Sequence, residues 1–374
     1  MKRSLLAMAA MMTVAGVASA QSSVNIGGIV DLAARSVKNP GGEVRTLSPE
    51  GAASNRFIVR AVEDLGGGLR ASFWLEAAIA PDTGGGTANV APGATPGGLT
   101  WTRRSTVSLA GKWGELRLGR DYTPTFWTHT LFDPYNTVGV AAQNNIITIP
   151  GGLATTLVRA DNSIGYHLPG GLGGIYGQFN VAAGEGRTGN KYIGGRIGYA
   201  AGPINVAFAY GITEKTGTMI DDVTAYNFGG SYNLGFMRLL GQYHSYKYSN
   251  SELKNFTIAG VIPMGASSIK LTYGKTSDFR KATQIGVGYQ YDLSKRTALY
   301  TTFSQVDNEA GSGFTASGSG VAPTAAQIAR GFKSTGYEFG MRHSLAACFA
   351  CRTPAPKPPS GGFFHEKPRD TLLP

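Results

Sequence analysis

Apolar side chains recur at every second position in short segments along this 374-residue chain, and that period decides what it can fold into. Ile204, Val206, Phe208 and Tyr210 alternate with Asn205 and Ala207, while Ile285, Val287, Tyr289 and Tyr291 oppose Gln284 and Gln290. Near the start, Val24, Ile26, Val30 and Leu32 fall on one side, with Asn25 and Asp31 on the other. A period of two is that of a strand, whose successive side chains point to opposite faces. Each segment therefore predicts a strand with one apolar and one small or polar face.

The N-terminus decides the compartment. Lys2 and Arg3, the apolar stretch Leu5 to Val17 and the small residues Ala18-Ser19-Ala20 describe an export signal, residues 1–20, with the mature chain starting at Gln21. That stretch is too short to span a bilayer core of roughly 30 Å as a helix, and no later run reaches about 18 apolar residues. If the chain lives in a membrane it must be a closed barrel, the other structure that pairs every backbone donor and acceptor in lipid. Composition agrees: 54 Gly, only 15% charged residues and a mean hydropathy of −0.08 suit half-apolar strands. A secreted soluble β-sandwich would look similar. Tyr199, Tyr210, Tyr232, Tyr243 and Tyr273 near strand ends suit the aromatic girdles of a barrel, though ordinary sheets carry such residues too.

The connections alternate in kind. Glu63–Gly68, Gly111–Gly114, Pro169–Gly174, Ala200–Pro203, Asn233–Gly235, Pro263–Ser267 and Asp292–Arg296 are short and turn-like. Between them lie longer stretches near Val37–Ala53, Ala80–Thr100, Asp121–Ala160, Ala183–Asn190, Ile212–Asp222, Lys247–Lys254, Lys275–Lys281 and Asp307–Lys333. Eight loops and seven turns make sixteen strands, with the polarity of an outer-membrane barrel. The expected fold is all-β: one sixteen-stranded antiparallel transmembrane β-barrel over residues 21–345, followed by a Pro-rich extension, 346–374.

Several strings carry a family resemblance: SSVNIGGIVDLAAR from Ser22, RAVEDLGGGLRASFWLE from Arg60, RRSTVSLAGKWGELRLGRDYTP from Arg103, IGVGYQYDLSKRTALYTTFS from Ile285 and GYEFGMRH from Gly336. Over roughly Gln21 to Leu345 the chain resembles the general-diffusion porins of β-proteobacteria. The resemblance implies a homotrimer of barrels in outer-membrane lipid that passes small hydrophilic solutes, often anion-selectively, with the third long loop folded into each lumen. A solute-specific channel is the alternative.

Strand parity supplies candidates for the pore. With Phe57, Val59 and Ala61 toward lipid, Arg56 and Arg60 point inward; with Leu69, Ala71, Phe73 and Leu75 outward, Arg70 and Glu76 do too. Arg117, Arg196, Arg238, Lys270 and Arg342 also fall on polar faces, so basic groups outnumber Asp31, Glu76 and Glu338 there. Guanidinium stays charged, and a low-dielectric wall focuses its field on a passing anion. Solvated lumenal charges without selectivity would read the same way. An inward third loop, Asp121 to Ala160, would set Asp121 and Asp133 near the lumen wall. In anion-selective relatives the eyelet arginines correspond to Arg56, Arg103 and Arg159, with Glu76 nearby. Arg103 shares parity with Val107 and Leu109 and reaches the lumen only if a bulge or strand end re-aims it; Arg104 is the alternative.

Other chemistry finds little support. The formal charge of +11 includes Lys2 and Arg3, leaving 11 − 2 = +9 after export, but no nucleic-acid-binding motif accompanies it. Cys348 and Cys351 form a C-x-x-C pair outside any strand–helix context, with His365 the one other nearby ligand, so no metal or cofactor is expected. The five His residues are scattered, and no Gly-x-Ser-x-Gly elbow or P-loop occurs. A lumenal triad around Gln242, His244 and Ser245 is conceivable, its spacing unspecific. The resemblance also implies a terminal aromatic, read by the barrel-assembly machinery, where this chain has Leu345. The prolines after it predict that the extension adds no strand, and that assembly is impaired.

Overall fold

The computed structural model describes residues 22–86, 98–147, 156–216 and 219–350, the last five as backbone alone. The export segment, Cys351 and the Pro-rich extension from 351 lie outside the described residues.

Seventeen β-segments pair into one closed antiparallel sheet. The first nine are β1 (Ser23–Asn39), β2 (Gly42–Pro49), β3 (Arg56–Gly66), β4 (Leu69–Ala78), β5 (Arg104–Gly111), β6 (Gly114–Tyr122), β7 (Arg159–His167), β8 (Ile175–Ala182) and β9 (Tyr192–Ala201). The rest are β10 (Ile204–Thr213), β11 (Val223–Asn233), β12 (Arg238–Tyr248), β13 (Ser251–Met264), β14 (Ser267–Asp278), β15 (Ala282–Asp292), β16 (Thr297–Asn308) and β17 (Lys333–Ala350). β2 pairs with the Leu32–Asn39 half of β1 and β3 with its Ser23–Ile29 half, so the two segments fill one place in the wall. Sixteen strand positions result, closed where β1 meets β17.

Alternation fills the two faces as the period requires. Outward residues such as Ile164, Ile197, Phe228 and Phe339 are 54–61% exposed, an apolar surface of the kind a lipid-embedded barrel presents. Inward residues are small or polar, among them Ala207, Asn227, Gln242, Thr257, Gln284 and Ser304, all buried. They are buried because the described residues of the third loop, 123–147 and 156–158, lie inside the lumen against them. Its helix α1 (Pro124–Leu131) starts at the N-cap Thr123, whose hydroxyl accepts from the Phe126 N–H, with Pro124 where a missing donor costs nothing. Asn227 Nδ2 donates to the Thr125 carbonyl at 2.7 Å, and the Tyr135 hydroxyl to the Lys270 carbonyl at 3.2 Å. A Cβ on Gly229 would overlap the Phe132 ring, so glycine on β11 is what lets the loop lie flat.

Four expectations need correction. Val37–Pro49 of the stretch Val37–Ala53, the stretch Lys247–Lys254 and most of Lys275–Lys281 are strand ends closed by short turns at 40–41, 249–250 and 279–281, not long loops. Polar residues above the membrane still pair, because ladder hydrogen bonding does not depend on an apolar face. The barrel also does not end at Leu345: β17 stays paired with β1 to Ala350, opposite Ser23. Proline alone forbids the ladder, and the first one comes at Pro354.

Between β2 and β3 the chain leaves the wall for residues 50–55, opposite Val30 and Asp31. The N–H groups of Ala52 and Ala53 donate to the Asp31 carboxylate at 2.9 and 2.7 Å, and the Tyr300 hydroxyl of β16 donates to its other oxygen. Asp31 is therefore fully buried and structural, not a lumenal charge. Glu338 is likewise engaged, with Arg35 at 3.0 Å and the Val140 N–H of the third loop at 3.3 Å.

Candidate functional site at the pore constriction

Between the third loop and the wall lies an open cavity of about 230 Å³, lined by Arg56, Arg103, Arg159, Tyr122 and Glu50 and by Phe126, Thr130, Asn136, Thr137 and Asn144 of the loop. Glu76 of β4 lies behind the arginines. Its Oε1 accepts from Arg103 Nε at 2.6 Å and from Arg56 Nη1 at 3.4 Å, so one buried carboxylate serves two guanidiniums. Both positions are held by the ladder: Arg56 begins β3 opposite Ala78 on β4, and the Arg103 N–H donates to the Glu76 carbonyl.

Arg103 and Arg104 both face the lumen. Arg104 opens β5 with the parity of Thr106 and Ser108, whereas Arg103 sits in the bend just before it, and that strand end turns its side chain to Glu76. The Tyr122 hydroxyl then accepts from Arg103 Nη2 at 2.8 Å and from Arg159 Nη2 at 2.7 Å. Arg159 also stacks over the Tyr122 ring at 4.4 Å, and its Nε donates to the Arg103 carbonyl. Phenol and guanidinium planes thereby hold two like charges side by side.

A second cluster continues along the wall. Asp121 pairs with Arg117 at 2.7 Å and Arg104 at 3.5 Å, and Glu115 takes the other edge of Arg117 at 2.8 Å. Trp74 is stacked by Arg104 at 4.3 Å and by Arg60 at 5.0 Å. Arg196 lies over Trp127 and Tyr176 and donates to Gln178. Lys270 stands 5.5 Å from the Tyr135 ring, and Arg342 is half-buried. Arg70 and Arg238 are exposed at the turn ends of β4 and β12, away from the cavity.

Asp133 does not face the arginines. Its carboxylate is turned into the third loop, accepting from the Tyr135 and Gln143 N–H groups at 2.9 and 3.1 Å, and burial pushes it up to about 6 despite those bonds. Two lining residues escaped the strand-parity argument. Glu50 sits in the irregular 50–55 excursion, and Tyr122 closes β6 as an aromatic that parity alone marks only as a strand end.

Residues 7–311 match the Gram-negative porin family. The chain belongs to that family. It is 34% identical to outer membrane porin protein 32 of Delftia acidovorans, with 92% of this chain and 100% of that one covered. It is also similar to an anion-selective porin from Comamonas acidovorans, at 32% identity and a TM-score of 0.77, covering 87% of this chain and 100% of that one. OmpT of Vibrio cholerae shares the fold alone, at 14% identity and a TM-score of 0.60 over 88% of this chain and 99% of that one.

The porin is thus an outer-membrane channel for passive diffusion, not an enzyme. The conceivable triad fails on geometry as well. His244 points into the lumen, where it meets His129 of the third loop at 2.9 Å, while Ser245 falls on the opposite face of β12 and donates to Glu252. Burial pulls His129 down to about 4, which favours a neutral imidazole at this contact between loop and wall.

Proposed function

We propose that this porin selects small anions at the cavity between Arg56, Arg103 and Arg159 and the third loop. The observation that carries this reading is the excess of positive charge at the cavity and along the wall beside it. At the cavity Arg56, Arg103 and Arg159 stand against Glu50 and Glu76, a formal 3 − 2 = +1, and the adjoining wall cluster sets Arg60, Arg104, Arg117 and Arg196 against Glu115 and Asp121, a formal 4 − 2 = +2. In a lumen walled by lipid-facing protein, that excess lowers the energy of a partly dehydrated anion and raises that of a cation. The similarity to the Comamonas anion-selective porin supports the same sign.

A reversal-potential measurement across a planar bilayer in a potassium chloride gradient tests the proposal. Chloride preference is expected for the unsubstituted chain and a shift toward potassium for Arg56→Glu; an unmoved potential removes Arg56 from the filter. We further propose that the chain is cleaved after Ala20, inserts into outer-membrane lipid through the barrel-assembly machinery, and forms homotrimers. The groove of about 480 Å³ on the outer face supports the last point: Ala34, Ser36 and Thr301 lie low between Leu47, Tyr337 and Phe339, a shape that a neighbouring barrel can fill. Cross-linking in the native membrane that yields only monomers would refute it.

A further inference from the structure

The same cavity holds a charge that the arginine argument leaves unused. Glu50 lines it from a left-handed backbone position, φ 65°, fixed by its N–H on the Asp31 carbonyl and by Arg35 Nη2 on its own carbonyl. Its Oε1 accepts from the Asn55 N–H at 3.2 Å, and among the described residues the carboxylate makes no ion pair within 4.0 Å. Glu76, by contrast, is consumed by Arg56 and Arg103. On the cationic side Arg159 is the counterpart: its hydrogen bonds go to a carbonyl and a phenol, and it too has no carboxylate partner among the described residues.

One open cavity therefore presents a carboxylate and a guanidinium that each lack a direct ion-pair partner among the described residues. If they touched they would neutralise each other; held more than 4.0 Å apart by separate backbone anchors, they leave room for a bridging solute. About 230 Å³ is the liquid share of roughly eight waters, enough for a small solute of a few heavy atoms. Resting on the reading of this cavity as the filter, we infer that it is a binding subsite for small zwitterions of the amino-acid class. The solute carboxylate docks on Arg159 beside Arg103, and its ammonium donates to Glu50. The side chains of Thr130, Asn136 and Asn144 line the opposite wall as polar, uncharged neighbours. The channel thereby favours solutes carrying both charges over neutral solutes of the same size.

The test compares alanine with lactamide, its uncharged isomer, in osmotic swelling of liposomes carrying the full chain. Glu50→Gln keeps an oxygen for the Asn55 N–H and removes the charge. The alanine-to-lactamide rate ratio is expected to fall about tenfold, the low end of the scale for one hydrogen bond to a charged group, while chloride preference rises. An unchanged ratio overturns the inference. Should that variant not assemble, the unsubstituted channel decides: alanine is expected to depress its chloride conductance and lactamide not, and equal effects overturn the subsite. Chloride preference in the unsubstituted chain with an unmoved ratio sinks the subsite alone. Absence of that preference sinks the filter reading itself.

Discussion

Arg159→Gln tests the filter at the one cavity-lining arginine with no carboxylate partner among the described residues. Arg159 donates to the Arg103 carbonyl and the Tyr122 hydroxyl, with no acid beside it among the described residues, so its whole unit charge acts on the pore. An ion passing about 6 Å away in a wet constriction of effective dielectric constant about 40 feels about 332/(40 × 6), or about 1.4 kcal/mol. Mobile salt at roughly 0.1 M, with a Debye length of about 10 Å, reduces this by about half. The sign reverses between chloride and potassium, so their permeability ratio moves by about twice the screened value, again about 1.4 kcal/mol, or about tenfold. The assay is the reversal potential in a tenfold salt gradient, with Arg70→Gln as the comparison because Arg70 is exposed at the turn end of β4. A ratio that changes less than about twofold for Arg159→Gln, or equally for both variants, would refute the reasoning.

Gly139→Ala is expected to unseat the third loop. At φ 81° a Cβ would overlap the Gly51 carbonyl and crowd the Glu338 carboxylate, costing about 1–3 kcal/mol, visible as a larger, flickering single-channel conductance and a lower unfolding temperature in detergent. Unchanged conductance and heat resistance would show that the loop tolerates the contact. For assembly, a Leu345→Phe chain ending at that position is expected to reach the outer membrane more efficiently than the full-length one, even though it forfeits the β17 pairing from Ala346 to Ala350. Equal yields on quantitative membrane fractionation would dismiss the proposed penalty.

Where one physical requirement governed a residue, it could be read from sequence. Lipid on one side and small residues on the other leave Ile204, Phe208 and Tyr210 a single parity, and the turn ends carry Gly, Pro and Asn because the chain must reverse within a few residues. Reading failed where two structures make the same demand. Lys38 and Glu43, or Lys247 and Glu252, are as polar as loop residues, yet they face each other across a ladder. Parity found Arg56, Arg60 and Glu76, but Arg103 depends on a bend and Glu50 on an excursion, neither of which has a period. Asp133 looked like a pore acid because composition marks charge and not direction; the Tyr135 and Gln143 backbone turns it inward on its own loop.

The Asp31 knot has a further effect on how the channel becomes functional. Its carboxylate collects donors from the 50–55 excursion on one side and from Tyr300, two strands away across the β1–β17 seam, on the other. That excursion carries Glu50 and leads directly into Arg56. Until the first and last strands zip together, the phenol is missing and the Asp31 carboxylate holds the excursion through backbone donors alone, Ala52 and Ala53 among them. Closing the ring therefore adds the last anchor to the segment that carries Glu50 into the pore.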